Sequence, residues 1–285
     1  MSQLYKACTI SKQAVSQYAC RQAILEDRVR DLVIEAELLR EEHPGCGVEK
    51  MYYTLNPDFM GRDRFIALFM DLGFRLKRSK NYRRTTYGLR NNFPNLIKGM
   101  NVSAPSVIWQ SDITYYNIGG EKFYYAVFII DVYTKKIVGY QLSTHMRATA
   151  NIQALEMALK DNKPPVIHHS DRGSQYLYNA YIQQLKENGS QISMALSAQD
   201  NAYAERINRT IKEEYLDRWN INTFELLKKG VDKAVYHYNN KRKHKHLNRM
   251  TPVEFEEKWC QKLLPVNPII TIFDNKNNLK TVNTI

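Results

Sequence analysis

Three carboxylates sit in three short, separate motifs of this 285-residue chain. Asp112 lies in Trp109-Gln110-Ser111-Asp112-Ile113-Thr114. Asp171 lies in His168-His169-Ser170-Asp171-Arg172-Gly173-Ser174-Gln175-Tyr176. Glu205 lies in Asp200-Asn201-Ala202-Tyr203-Ala204-Glu205-Arg206. The two aspartates end apolar runs, and the glutamate opens a basic helix. Carboxylate oxygens with no Cys or His ligand cluster suit hard Mg²⁺ rather than zinc. Two such ions can clamp both the attacking and the leaving oxygen of a phosphodiester. Any one of these acids alone reads as an ordinary cap or surface residue; three motifs together point to a metal site.

The bulk of the chain supplies the complement. Lys and Arg number 41 against 29 Asp and Glu, a formal charge of +12. Such an excess favours a polyanionic partner, and nucleic acid is the commonest one. The length is comfortable for two cores, and 44% hydrophobic residues suffice for globular folding. No apolar run approaches the ~18 residues of a membrane span. The polar start Met1-Ser2-Gln3-Leu4-Tyr5-Lys6 lacks a signal-peptide apolar stretch. Cys8, Cys20, Cys46 and Cys260 are scattered, so neither a disulfide framework nor a zinc site is expected, and the cytoplasm is the expected compartment.

The elements that must position the acids follow from periodicity. Residues 7–20 have the look of a helix-turn-helix, with Ser11 as N-cap and Ala14, Val15 and Tyr18 at helical spacing. Lys12 and Gln13 then face outward as DNA contacts, although an ordinary amphipathic helix pair gives the same pattern. Further helices are expected over Asp27 to Glu42, Val48 to Leu55 and Arg62 to Leu72, the last ended by Gly73. Residues 75–90 hold seven cations and no acid. Arg78, Lys80, Arg83 and Arg84 in that run are expected to meet phosphates. Residues 91–106 read as a linker.

Beyond it, strands are expected at Val107 to Thr114, Phe123 to Val132 and Ile137 to Leu142, as antiparallel neighbours. Helix, strand, helix, strand and helix then follow: 148–160, 166–169, 174–187, 192–196 and 201–219. That order makes an α/β fold, a mixed five-stranded sheet flanked by helices. The tail from Thr223 to Trp259 reads as helical and basic, restarting at Thr251-Pro252, with a hairpin after Ile269. On the catalytic helix, Glu205, Asn208, Arg209 and Lys212 occupy i, i+3, i+4 and i+7 and so share a face. Arg209 and Lys212 are expected to reach DNA there. Asp131 reads as a turn cap, with a fourth metal-site acid as the alternative. Asp200 reads as the N-cap of the catalytic helix. His169 either orients a phosphate or water, or packs, and His168 points to the opposite face.

The combined motifs Trp109-x-x-Asp112-Ile113-Thr114, His169-Ser170-Asp171-Arg172-Gly173-Ser174-Gln175-Tyr176 and Asp200-Asn201-Ala202-x-x-Glu205-Arg206-x-Asn208-x-x-x-Lys212 resemble the integrase core of insertion-sequence transposases of the bacterial IS-three group. Tyr238-Asn239-Asn240, Arg242, His246-Leu247 and Thr251-Pro252 resemble that family's closing motif. Glu41 to Gly47 resembles the helix-turn-helix preceding the core. The resemblance implies a ribonuclease H-like fold and an Asp-Asp-Glu triad at Asp112, Asp171 and Glu205. It also implies cleavage at the ends of a mobile element, then 3′-OH strand transfer. The spacing of thirty-three residues between Asp171 and Glu205 is shorter than is usual in the family.

Expected cofactors are two Mg²⁺ ions, with Mn²⁺ as substitute. Expected partners are double-stranded DNA (element ends and target), further copies of the chain on that DNA, and a small separate DNA-binding subunit of the same element. No membrane is expected. The expected division is a helical DNA-binding region over 1–90, a linker over 91–106, the catalytic core over 107–220, and a basic helical C-terminal region over 221–285. A tyrosine recombinase is excluded, because no Tyr follows Tyr238 to serve as nucleophile. A non-enzymatic DNA-binding protein that keeps the fold stands as the competing reading, and Mg²⁺-dependent nicking separates the two.

Overall fold

The computed structural model describes residues 11–76, 93–120 and 122–272, which fall into two compact units divided after Lys77. The first unit is helical: α1 (Lys12–Glu42), α2 (Val48–Leu55) and α3 (Arg62–Asp71). The Ser11 hydroxyl accepts from the Ala14 N–H at 3.0 Å, so the expected N-cap is present. The helix it starts does not turn near residue 20. It runs unbroken for 31 residues and fuses the two helices expected over 7–20 and 27–42. No Gly or Pro lies between Ser11 and His43, and good helix formers fill the gap. The helix-turn-helix reading of 7–20 is therefore corrected for residues 11–20; residues 7–10 lie outside the described residues.

Gly73 ends α3 as expected. Its φ is +86°, and the N–H groups of Gly73 and Phe74 bond the carbonyls of Met70 and Phe69 in a Schellman arrangement. Leu32, Ala36, Met51, Phe65 and Phe69 form the buried core of this unit.

The second unit is built on a sheet of β2 (Ile108–Ile118), β3 (Lys122–Asp131), β4 (Ile137–Ser143), β5 (Ile167–Ser170) and β6 (Gln191–Met194), in the order β4-β3-β2-β5-β6. β2, β3 and β4 form an antiparallel meander; β5 and β6 add in parallel to β2. The expected mixed five-stranded sheet is thus present. Period-two alternation along β3 divides the core. Ala126, Phe128 and Ile130 face α6 (Ala202–Glu214) and α7 (Phe224–Asn240). Val127 and Ile129 face α4 (Ala148–Asp161) and α5 (Asn179–Glu187).

α4 lies hard against β4 because residue 139 is a glycine. A Cβ there would stand 2.2 Å from the Ala154 carbonyl oxygen and 2.9 Å from the Ala158 Cβ. Gly139→Ala is therefore expected to destabilise the unit by roughly 1–3 kcal/mol. Urea unfolding measures this, and a wild-type midpoint would mean α4 can move away without cost.

A third cluster draws together residues from the expected linker, core and C-terminal region. Ile97 and Val102 are fully buried with Ile108, Val132, Tyr133, Leu247 and Phe255. β1 (Asn101–Val102) pairs antiparallel with β7 (Ile270–Thr271). The described part of the expected linker and the C-terminal segment are therefore packed onto the catalytic core. The basic run 241–246 leaves the helical state, since α7 stops at Asn240 and a short 3-10 turn spans Lys245–Leu247. α8 (Pro252–Cys260) restarts as expected. Thr251 and Glu254 form a reciprocal capping box, with Pro252 in the first turn. The hairpin expected after Ile269 lies mostly outside the described residues. Among the described residues, no helix is long and apolar enough to cross a membrane.

Candidate active site

Sheet register brings the first two acids together. β2 and β5 run parallel, and their last paired residues are Ser111 and Ser170. The next residues are Asp112, partway along β2, and Asp171, just past the C-terminal end of β5, so the two stand side by side where β5 stops. The third comes from α6. Asn208, three residues after Glu205, donates from Nδ2 to Asp112 Oδ2 at 2.8 Å and ties that helix to the strand. The other Asp112 oxygen accepts from the Ile113 N–H at 3.0 Å. Asp171 Oδ1 accepts from the Gly173 N–H, also at 3.0 Å. Beneath them, Ser111 Oγ and the Tyr176 hydroxyl share a hydrogen bond of 2.9 Å.

The electrostatics report the convergence. Burial, and then the charges of Asp171 and Glu205, push Asp112 up to about 8. Asp171 is also raised by burial, with the Gly173 N–H opposing. Among the described residues, no three acidic, His or Cys side chains close into a ready-made ligand cage. Glu205 is exposed on α6, and its charge acts on Asp112. The donor set fits a divalent cation: oxygen only, with charge that repels itself until a cation neutralises it.

This arrangement has a pH signature. In the metal-free folded protein Asp112 keeps its proton up to about pH 8, whereas the unfolded chain releases it near the ordinary carboxylate value of 3.8. The folded state binds more protons across that window, so this group's contribution is full at low pH and is lost as the pH rises toward 8. Thermal unfolding without metal is expected to show a Tm that falls between about pH 6 and about pH 8. Asp112→Asn should flatten that slope; an identical slope in the variant would place the titration elsewhere.

Other expected residues fall in different places. Asp131 is a turn cap: Oδ1 accepts from the N–H groups of Tyr133 and Thr134, and Oδ2 from Ser106. Asp200 does not cap α6. It belongs to the preceding 3-10 turn (Ala198–Asn201), where its Oδ2 accepts from the N–H groups of Leu196 and Ser197 at 2.9 Å. His169 is the packed histidine of the two alternatives, fully buried with Nδ1 2.8 Å from Ser193 Oγ. His168 instead meets the Tyr181 hydroxyl at 2.9 Å. Burial pushes His168 to about 3 and His169 to about 4, which keeps both neutral.

The helical face expected to hold Glu205, Asn208, Arg209 and Lys212 is split. Glu205 and Arg209 are exposed, while Asn208 and Lys212 turn inward. Lys212 is only 6% exposed, with its ammonium 4.7 Å over the Tyr115 ring. Burial lowers it to about 8, against the raising effect of Asp217 and Asp112. Lys12 and Gln13 are exposed on α1. Arg78, Lys80, Arg83 and Arg84 lie outside the described residues. Gln110 was not singled out by the sequence, although it stands two residues before Asp112 on the same strand face.

Comparison with known proteins agrees with this geometry. Two models, each described as an integrase core domain, match residues 102–198 and 190–252. The insertion element IS600 uncharacterized 31 kDa protein of Shigella sonnei is 34% identical over 214 residues, 72% of this chain and 78% of that protein. The transposase for insertion sequence element IS904 of Lactococcus lactis is 30% identical over 242 residues, 79% of this chain and 95% of that protein. Transposase InsF for insertion sequence IS3A of Escherichia coli is 31% identical over 194 residues, 65% of this chain and 67% of that protein. The chain therefore belongs to the IS3 group of insertion-sequence transposases, polynucleotidyl transferases of DNA built on an integrase core domain.

Proposed function

We propose that Asp112, Asp171 and Glu205 would hold two Mg²⁺ ions, and that the chain cuts the element's ends and joins them to target DNA. The observation that supports the reading is the parallel register, which sets Asp112 and Asp171 side by side where β5 ends against β2. Bound there, the ions would activate the attacking oxygen and stabilise the leaving one. In the first reaction, water attacks phosphorus at the element's end. The phosphorus–O3′ bond breaks, leaving a 3′-OH and a 5′-phosphate. In the second, that 3′ oxygen attacks a target phosphodiester, and the displaced target O3′ leaves with a proton. No protein nucleophile is consumed. The chain's own part is to gather the carboxylates, fix Asp112 through Asn208, and engage the phosphates with basic side chains, Arg209 among them.

The test uses the purified chain, DNA carrying the element's own ends, and Mg²⁺ or EDTA. Mg²⁺-dependent nicks that expose the terminal 3′-OH, followed by joined products, are expected. Binding without any nick, even when a small DNA-binding subunit of the same element is added, would sink the catalytic reading. We further propose that copies of the chain assemble on paired element ends in the bacterial cytoplasm, where that DNA resides.

DNA binding should weaken steeply with salt, given the +12 charge. Replacing Arg78, Lys80, Arg83 and Arg84 with Ala is expected to flatten the log–log salt slope, by up to about 0.9 for each phosphate that is no longer neutralised. An unchanged slope in the folded variant would show that this run does not meet phosphate.

A further inference from the structure

We infer that Gln110 is the positioning residue for Glu205, and that α6 is registered by the strand that carries Asp112 rather than by the loop that leads into the helix. The inference rests on the proposed role of Glu205 as a metal ligand. The first N–H groups of a helix need acceptors, and usually the N-cap side chain supplies one. At α6 it does not: the Asn201 side chain makes no cap bond and instead donates from Nδ2 to the Ser111 carbonyl at 2.9 Å. Gln110 takes over from across the fold. Its Oε1 accepts from the N–H groups of Tyr203 at 3.1 Å and Ala204 at 3.4 Å, and its Nε2 donates to the Asp200 carbonyl at 3.3 Å. The side chain is 1% exposed, so water does not compete for these bonds.

One residue later along β2, the Ser111 carbonyl holds Asn201. One further, Asp112 holds Asn208. Three consecutive strand residues therefore grip α6 and the turn before it, and Glu205 directly follows the second N–H that Gln110 caps. Its placement relative to Asp112 is set by strand-to-helix bonds. This explains how a spacing of thirty-three residues between Asp171 and Glu205, short for the family, still delivers the helix.

Mn²⁺ affinity of the full chain, measured without DNA in wild type, Gln110→Met, Glu205→Gln and the double variant, tests this. Gln110→Met keeps the length and removes the hydrogen bonds. It is expected to lower Mn²⁺ affinity about tenfold or more, as loss of a residue that orients a ligand does. In the Glu205→Gln background the same change should have no further effect. Amide exchange at Tyr203 and Ala204 should quicken in Gln110→Met. Gln110→Asn, one methylene short, is the second variant and should show the same coupling if Gln110→Met does not fold. If Glu205→Gln weakens Mn²⁺ binding but Gln110→Met does not, the inference fails and the ligand assignment stands. Equal losses in both backgrounds would make Gln110 merely structural and also overturn it. If Glu205→Gln leaves Mn²⁺ affinity unchanged, the ligand assignment fails first and takes the inference with it.

Discussion

Asp112→Asn, Asp171→Asn and Glu205→Gln should each lower cleavage of element-end DNA on the order of 10³-fold or more, while leaving DNA affinity nearly intact. Each change removes one ligand charge and almost no volume. A metal centre contributes several kcal/mol of transition-state stabilisation, and each 1.4 kcal/mol lost is about a factor of ten in rate. The surrounding bonds argue against collapse of the fold. Asn208 can still donate to the oxygen of an Asn at 112, and Gly173 to one at 171. Glu205 is exposed, so its neutral amide has solvent. DNA affinity rests on basic side chains elsewhere, so a gel-shift series beside a single-turnover cleavage assay separates the two functions. Near-wild-type cleavage by any one variant would remove that residue from the centre.

The largest expected effect on stability lies at Arg242. Its Nε and Nη2 bond both carboxylate oxygens of Glu214 at 2.8 Å, with the two side chains 11% and 19% exposed. Glu214 is the last residue of α6, so this fork–fork pair fastens the end of the catalytic helix to the segment after α7. Arg242→Ala would leave Glu214 in a mostly dry site without its bidentate partner, a change that costs about 3–5 kcal/mol. Replacing both partners with apolar residues, Arg242→Met with Glu214→Leu, should recover most of that loss, because the desolvation penalty then vanishes as well. Chemical denaturation of the two variants measures this. A single variant as stable as wild type would show that the pair adds nothing to the fold.

Much of this was legible in the sequence, for identifiable reasons. β2, β3 and β4 announce themselves by β-branched and aromatic runs between turn residues. The aspartates are legible because each follows such a run. The Val48–Leu55 and Thr251-Pro252 helix boundaries are written in local chemistry, as caps and breakers.

What was hidden depends on partners distant in sequence. Nothing between Cys20 and Asp27 signals a turn, and none occurs; the division of α1 rests on a helix-turn-helix template alone. Ile97 and Val102 sit in an irregular stretch, and only the fold reveals that they are core. Helical spacing put Glu205, Asn208, Arg209 and Lys212 on one face, but spacing gives an angle around a helix and not a depth, so the inward turn of Asn208 and Lys212 could not be read. Gln110 was missed because its partners, Tyr203 and Ala204, lie more than ninety residues away.

The central claim, that these three carboxylates form one two-ion centre, is tested most directly by electron paramagnetic resonance of Mn²⁺ bound to the full chain. Two ions held together by these carboxylates would couple magnetically. The expected result is a spin-coupled spectrum at two equivalents of Mn²⁺, lost in Asp112→Asn. A spectrum of isolated Mn²⁺ at all loadings, or a coupled spectrum that survives Asp112→Asn, would contradict it.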